Sequence, residues 1–313
     1  MKRILFVAAT LCAVFCLSLL PAQAAVLTLP NGLVTLGVNP DGSLDDVGAT
    51  VGLSLSGVGD ALIPGCPCES WGVQASGVTG YVGPNVGNFN IVTDSFSNTA
   101  TTAVSTTHLG TLPDLQVVQS FGPSASSMLF QDTVTITNLG TGILTDLQYA
   151  RAMDWDVPPT EFDEFVTIAG WPASALLHSG DNGFAAPFVD PLTLSCPADS
   201  NFTACGPDDH GAYFIFGFGA LAPGESKTFK IFYGADYSIA AALSDLGVVG
   251  AEVYSLGMSN TPDGPTLGTP GTFIFGFSGV GGTPLPSVPE PGTILLMGTG
   301  LAVVGLIRKR FTR

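Results

Sequence analysis

The chain has 313 residues, 46% of them hydrophobic and 11% charged, with 25 acids against 9 Lys and Arg and a net charge of −16. A balance this negative excludes electrostatic binding of nucleic acid or of anionic lipid heads. Gly (40) and Pro (23) are plentiful, and short apolar–polar alternations between turn residues point to an all-β fold.

The chain opens with Lys2 and Arg3, an apolar run from Ile4 to Leu20, and the small-x-small site Ala22-Gln23-Ala24. These are the three regions of a secretory signal peptide spanning residues 1–24, to be cut by signal peptidase before Ala25. From Ala25 to Glu290 lie all 25 acids and three bases, Arg151, Lys227 and Lys230, so this part carries −22. Such a surface tolerates salt and suits divalent cations.

"NPDGSLDD", Asn39 to Asp46, places three aspartates around a glycine turn. It lacks the order and closing Glu of an EF-hand loop, so a plain turn is the better reading. Exported chains fold in an oxidising compartment, where Cys66, Cys68, Cys196 and Cys205 suggest two disulfides with three pairings open. Cys196 and Cys205 share one short polar loop, which favours a local bridge. Cys66 and Cys68 are then left to a tight ring or to the reduced state. A zinc site on all four is disfavoured, because C-x-C is one residue short of the usual knuckle spacing.

"TVTITNLGTGILTDLQYARAMDWDV" reads as a strand, a turn from Asn138 to Gly142, and a second strand from about Leu144. "AYFIFGFGALAPGESKTFKIFYGAD" repeats the form around Pro223-Gly224. Both are hairpin signals. The phrases "VTITNLG" and "LAPGESKTFKI" resemble turns and strands of bacterial immunoglobulin-like sandwich modules, a local resemblance that implies no particular function.

The richest stretch for chemistry is "RAMDWDVPPTEFDEF", Arg151 to Phe165. A strand from Tyr149 to Val157 would set Tyr149, Arg151, Met153, Trp155 and Val157 on one face. Asp154 and Asp156 would share the other, about 7 Å apart. Three readings stand side by side. Asp154, Asp156, Glu161, Asp163 and Glu164 form a calcium (Ca2+) site, since calcium takes several carboxylates on a bend. Alternatively, Asp154 and Asp156 are the acid and base of a polysaccharide-binding or glycoside-cleaving enzyme, with Trp155 as the sugar platform. In the third reading the acids only solvate the surface, Arg151 ties down a strand and Trp155 sits in the core. In "GPDDHG", His210 adjoins Asp208 and Asp209, but His108 and His178 are far away in sequence. No nucleophile elbow, H-E-x-x-H or P-loop is present.

Ser238 caps a predicted helix in which Ile239, Ala242, Leu243 and Leu246 recur at helical spacing until Gly247, forming a lid over a sheet edge. Residues 276–287 read as a Gly/Pro linker. No linker interrupts residues 26–275. The expected fold is thus one large antiparallel β-sandwich over 25–275 with one short helix, a signal peptide before it and a C-terminal transmembrane helix after it.

That last segment has three parts in order: Pro289-Glu290-Pro291, the apolar span 293–307, and the basic tail 308–313 with Arg308, Lys309, Arg310 and Arg313. The span is shorter than the roughly 20 residues that cross a bilayer comfortably. Its cationic flank holds the C-terminus in the cytoplasm. Residues 288–313 together resemble the PEP-CTERM sorting signal of Gram-negative bacteria. The resemblance implies transient anchoring in the inner membrane, processing by an exosortase near Pro289-Glu290-Pro291, and delivery to the cell surface or extracellular space. It also implies an association with exopolysaccharide and biofilm matrix. The expected role is structural or adhesive rather than enzymatic.

Overall fold

A computed structural model describes residues 23–45 and 50–287 of the chain. The expected signal peptide and the expected membrane helix, basic tail and Pro289-Glu290-Pro291 motif lie outside the described residues, save for the end of the former at 23–24. Among the described residues no helix is long and apolar enough to cross a membrane.

Antiparallel strands make up almost all the regular structure. A small sheet comes first: Ala25–Thr28 (β1), Val34–Val38 (β2), Leu53–Leu55 (β3) and Gly59–Asp60 (β4). A six-stranded sheet holds Glu69–Ala75 (β5), Val78–Gly83 (β6), Gly87–Phe89 (β7), Leu144–Met153 (β12), Leu176–Gly180 (β14) and Ala212–Leu221 (β16). Its order is β14-β16-β12-β5-β6-β7. The nine-stranded sheet holds Ile91–Asn98 (β8), Ala103–Leu109 (β9), Leu112–Pro123 (β10), Leu129–Asn138 (β11), Glu164–Ala169 (β13), Phe202–Asp208 (β15), Ser226–Asp236 (β17), Val253–Met258 (β18) and Thr272–Ser278 (β19). Its order is β15-β13-β18-β19-β17-β11-β10-β9-β8.

The two large sheets pack face to face. In β11 the period of two turns Phe130, Asp132, Val134, Ile136 and Asn138 inward and leaves the residues between them half-exposed. Across the gap, Tyr149 meets Phe229 edge to face at 5.0 Å, and Phe214 meets Phe275 and Phe277 at 5.6 and 5.2 Å. Such contacts hold the layers in a fixed mutual position, because aromatic pairs prefer offset and edge geometries. One continuous core runs through all three sheets.

The two expected hairpins are not hairpins. β11 pairs with β10 and β17, whereas β12 pairs with β16 and β5. The turn from Asn138 to Gly142 therefore carries the chain from one sheet to the other, and the turn at Pro223-Gly224 does the same between β16 and β17. The two arches lie side by side and are joined by buried Asn138. Its amide donates to Gly142 O at 2.7 Å and Leu221 O at 2.9 Å, and its backbone exchanges hydrogen bonds with Glu225 and Gly224.

Ile239–Val248 (α1) is capped by Ser238, whose hydroxyl accepts from Ala241 N at 3.3 Å. The helix runs one residue past Gly247, and Gly250 takes the left-handed conformation that closes it. Instead of covering a sheet edge, α1 packs Ala242 and Leu246 on Leu129, Phe232, Leu256 and Ile274, over the outer face of the nine-stranded sheet. A second helical turn, Gly264–Leu267 (α2), adds to the one helix expected. The expected linker also begins later. Gly276 to Ser278 pair with β17, and beyond them Val280 N and Gly282 N donate to Glu252 and Leu285 N to Ala251 O.

Candidate functional site

β12 ends at Met153, four residues before the expected end at Val157. The chain stays extended and is held from the side: Asp154 N donates to Cys68 O, and Asp156 N to Ala61 O, both at 3.0 Å. Alternation persists through this segment, but both sides are covered. Trp155 is 0% exposed, packs against Phe273 and donates its indole N–H to Ser255 Oγ at 3.0 Å. Trp155 is a core residue and cannot serve as a sugar platform. Asp154 and Asp156 are each 1% exposed, so the expectation of surface solvation fails for them.

The structure sorts the five expected acids into two groups. Glu164, at the first position of β13, is 0% exposed and belongs with Asp154 and Asp156. Glu161 is half-buried and lies only near Asp156, and Asp163 is exposed and accepts from Asn260 Nδ2 at 2.8 Å. The place expected for these two is taken by Asp209, which follows β15. Carboxylate oxygens of Asp154, Asp156 and Asp209 lie within 4.8 Å of one another. Gly211 lets this loop close down, since a side chain there would collide with Met153 O.

Other acids in the domain, half-buried like Asp60 or buried like Asp181, are answered by partners. Asp60 accepts four backbone N–H groups and the Ser54 hydroxyl. Asp181 accepts from the amides of Leu194, Ser195 and Cys196 at 2.8–3.0 Å and from His210 Nδ1 at 3.2 Å. Burial pushes Asp181 up, but these donors outweigh it and hold the carboxyl at about 2. Glu69 and Asp132 face Arg151, although neither Asp132 oxygen has a hydrogen-bond partner among the described residues.

The cluster is different. Asp154 Oδ1, both carboxylate oxygens of Asp156, Glu164 Oε2 and Asp209 Oδ1 are buried without a hydrogen-bond partner among the described residues. No described base pairs with any of the four acids, Arg151 being engaged elsewhere. Burial first, then repulsion from nearby carboxylates, pushes them all up: Asp154 well above the usual carboxylate range, Asp156 to about 8, Glu164 to about 9, and Asp209, beside Asp208, upward as well.

The cysteines pair locally, Cys196 with Cys205 and Cys66 with Cys68. The first bridge adjoins Asp181 and His210, and the second adjoins the acidic cluster. The Cys66–Cys68 sulfurs lie within 4.8 Å of the Asp154 carboxylate, and Cys196 Sγ lies 3.5 Å from His210 Nδ1. Paired sulfurs are not thiolate ligands, so the converging donors are carboxylate oxygens.

Arg151 forms a second buried constellation. It projects from β12 between the large sheets, with Nε donating to Glu69, Nη1 to Gln119 Oε1 at 2.6 Å and Tyr149 OH at 3.1 Å, and Nη2 to Gly42 O at 3.0 Å. Asp132 is 3.9 Å away, and the Tyr233 ring covers the guanidinium. Burial pushes Asp132 up to about 7 against the pull of Arg151. Arg151 therefore locks the strand between the sheets, as one of the sequence readings had it.

Residues 287–310 match the family model described as the PEP-CTERM protein-sorting motif. The chain thus carries a PEP-CTERM sorting motif, which implies export and processing by an exosortase. No curated protein matches the sequence. Solved structures with a distant likeness include a putative aldose 1-epimerase from Escherichia coli K12, 12% identical with a TM-score of 0.34 over 85% of this chain and 95% of that one. A galactose mutarotase-like protein from Lactobacillus casei is also 12% identical, with a TM-score of 0.30 over 85% of this chain and 91% of that one.

Proposed function

We propose that this protein is a structural or adhesive component of the cell surface or extracellular matrix, released from its membrane tail after export and associated with exopolysaccharide. The observation that carries this reading is a sorting motif on a sandwich whose polar chemistry is sealed inside. Trp155, Asp154, Asp156 and Glu164 are all at most 1% exposed. A glycosidase needs two carboxylates flanking an accessible sugar bond, and here the acids stand side by side beneath the surface. The disulfides and the Arg151 lock suit a protein that works by keeping its shape outside the cell.

The test is Pro289→Ala, Glu290→Ala and Pro291→Ala introduced together in the native host. The variant should stay in the membrane fraction at full length, while the parent leaves it. Matrix made by cells carrying the variant should lose the protein from its washed polysaccharide fraction. Unchanged processing and release would refute the reading.

A further inference from the structure

We infer that Asp154, Asp156, Asp209 and Glu164 hold one divalent cation, calcium by the chemistry of the donors, which staples the ends of the two large sheets together. This goes beyond the export and matrix reading and does not depend on it.

The inference rests on two independent facts. The first is convergence: two segments distant in the chain, one with Asp154 and Asp156 and one with Asp209, bring three carboxylates within 4.8 Å of one another, with Glu164 beside them. The second is the state of those oxygens. Both oxygens of Asp156, Oδ1 of Asp154 and Oε2 of Glu164 are buried without a hydrogen-bond partner among the described residues, on side chains at most 1% exposed. Buried polar atoms in folded proteins are satisfied almost without exception, and orphans gathered at one point call for an ion. Half-buried Asp60 and fully buried Asp181 show that this domain supplies donors to its acids where no ion is needed.

The donors also choose the metal. An all-carboxylate set is hard and suits calcium or magnesium. Magnesium keeps most of its water and usually takes one or two carboxylates, whereas calcium accepts six to eight oxygens in flexible geometry. A sheltered site offering up to four carboxylates fits calcium. Position gives the ion its mechanical role. Asp154 and Asp156 extend from β12 of the six-stranded sheet, while Glu164 and Asp209 sit on β13 and just after β15, at the edge of the nine-stranded sheet. The Cys66–Cys68 bridge supports the first pair by placing Cys68 O under Asp154 N.

The experiment uses the full-length chain in detergent, stripped with a chelator and dialysed against calcium or magnesium chloride. Elemental analysis should find one calcium per chain. The melting temperature should rise by about 5–10 °C at a hundredfold excess over Kd, with a smaller response to magnesium. Asp209→Asn alters a half-buried residue that a folded chain tolerates, and it should weaken calcium binding at least tenfold and abolish the thermal gain. Asp163→Asn, outside the cluster, should leave both intact. Absence of stoichiometric calcium, an equal response to magnesium, or full calcium affinity in Asp209→Asn would each overturn the assignment.

Discussion

Arg151→Leu destabilises the domain by about 3–5 kcal/mol, the range seen when one member of a buried ion pair is removed. The substitution leaves the Glu69 carboxylate and Asp132 without their cation, and strips Gln119 Oε1 and Gly42 O of a donor. Total stability of a domain is about 5–15 kcal/mol, so this one change removes a large fraction of it. Chemical denaturation of the variant beside the parent checks the size. A companion variant, Arg151→Met with Glu69→Leu, separates the lost charge pair from simple loss of packing. It should be more stable than Arg151→Leu alone, because replacing both partners of a buried pair with apolar groups is often tolerated. A single variant within about 1 kcal/mol of the parent would show that the network contributes little.

Trp155→Ala produces an effect of similar size, about 3–5 kcal/mol, through a cavity. The ring lies against the backbone of β18, where Gly257 leaves room that even a methyl group would fill: a Cβ there would stand 2.7 Å from the indole. Truncation also leaves Ser255 Oγ without the indole donor. Trp155→Phe keeps much of the volume and loses the hydrogen bond, so its cost should fall well below that of alanine. The pair of variants also decides between roles. A sugar platform would lose polysaccharide binding with its melting temperature intact. The core residue described here loses melting temperature first, and any binding by the folded fraction is unchanged.

Legibility in the sequence followed the reach of the cause. The sorting signal was readable because Pro289-Glu290-Pro291, the apolar span and the basic tail are contiguous. The Cys196–Cys205 bridge is legible for the same reason, since it closes a short loop, whereas Cys66 and Cys68 read equally as a tight ring or as reduced thiols. Strand and turn positions near Asn138 and Pro223 were also local, and they hold. What those turns connect was not readable. A hairpin and an arch between sheets share turn residues and flanking alternation, and only the long-range pairing of β12 with β16 and β11 with β17 separates them. The same limit shaped the acidic site. Nearness in sequence groups Glu161 and Asp163 with Asp154, yet the loop after Pro159 leaves Glu161 half-buried at the margin of the cluster and Asp163 exposed. Asp209 stands beside His210 in the sequence, but nothing local ties it to Asp154. Its burial beside other acids is the signal, and that exists only in three dimensions.

The central claim is that the C-terminal segment is an address for an exported domain rather than a permanent anchor. Its most direct test is the intact mass of the protein recovered from the medium and envelope fractions of its native host. The account predicts a species beginning near Ala25 and ending near Pro291. A species found only in the membrane fraction and still carrying Arg313 would contradict it.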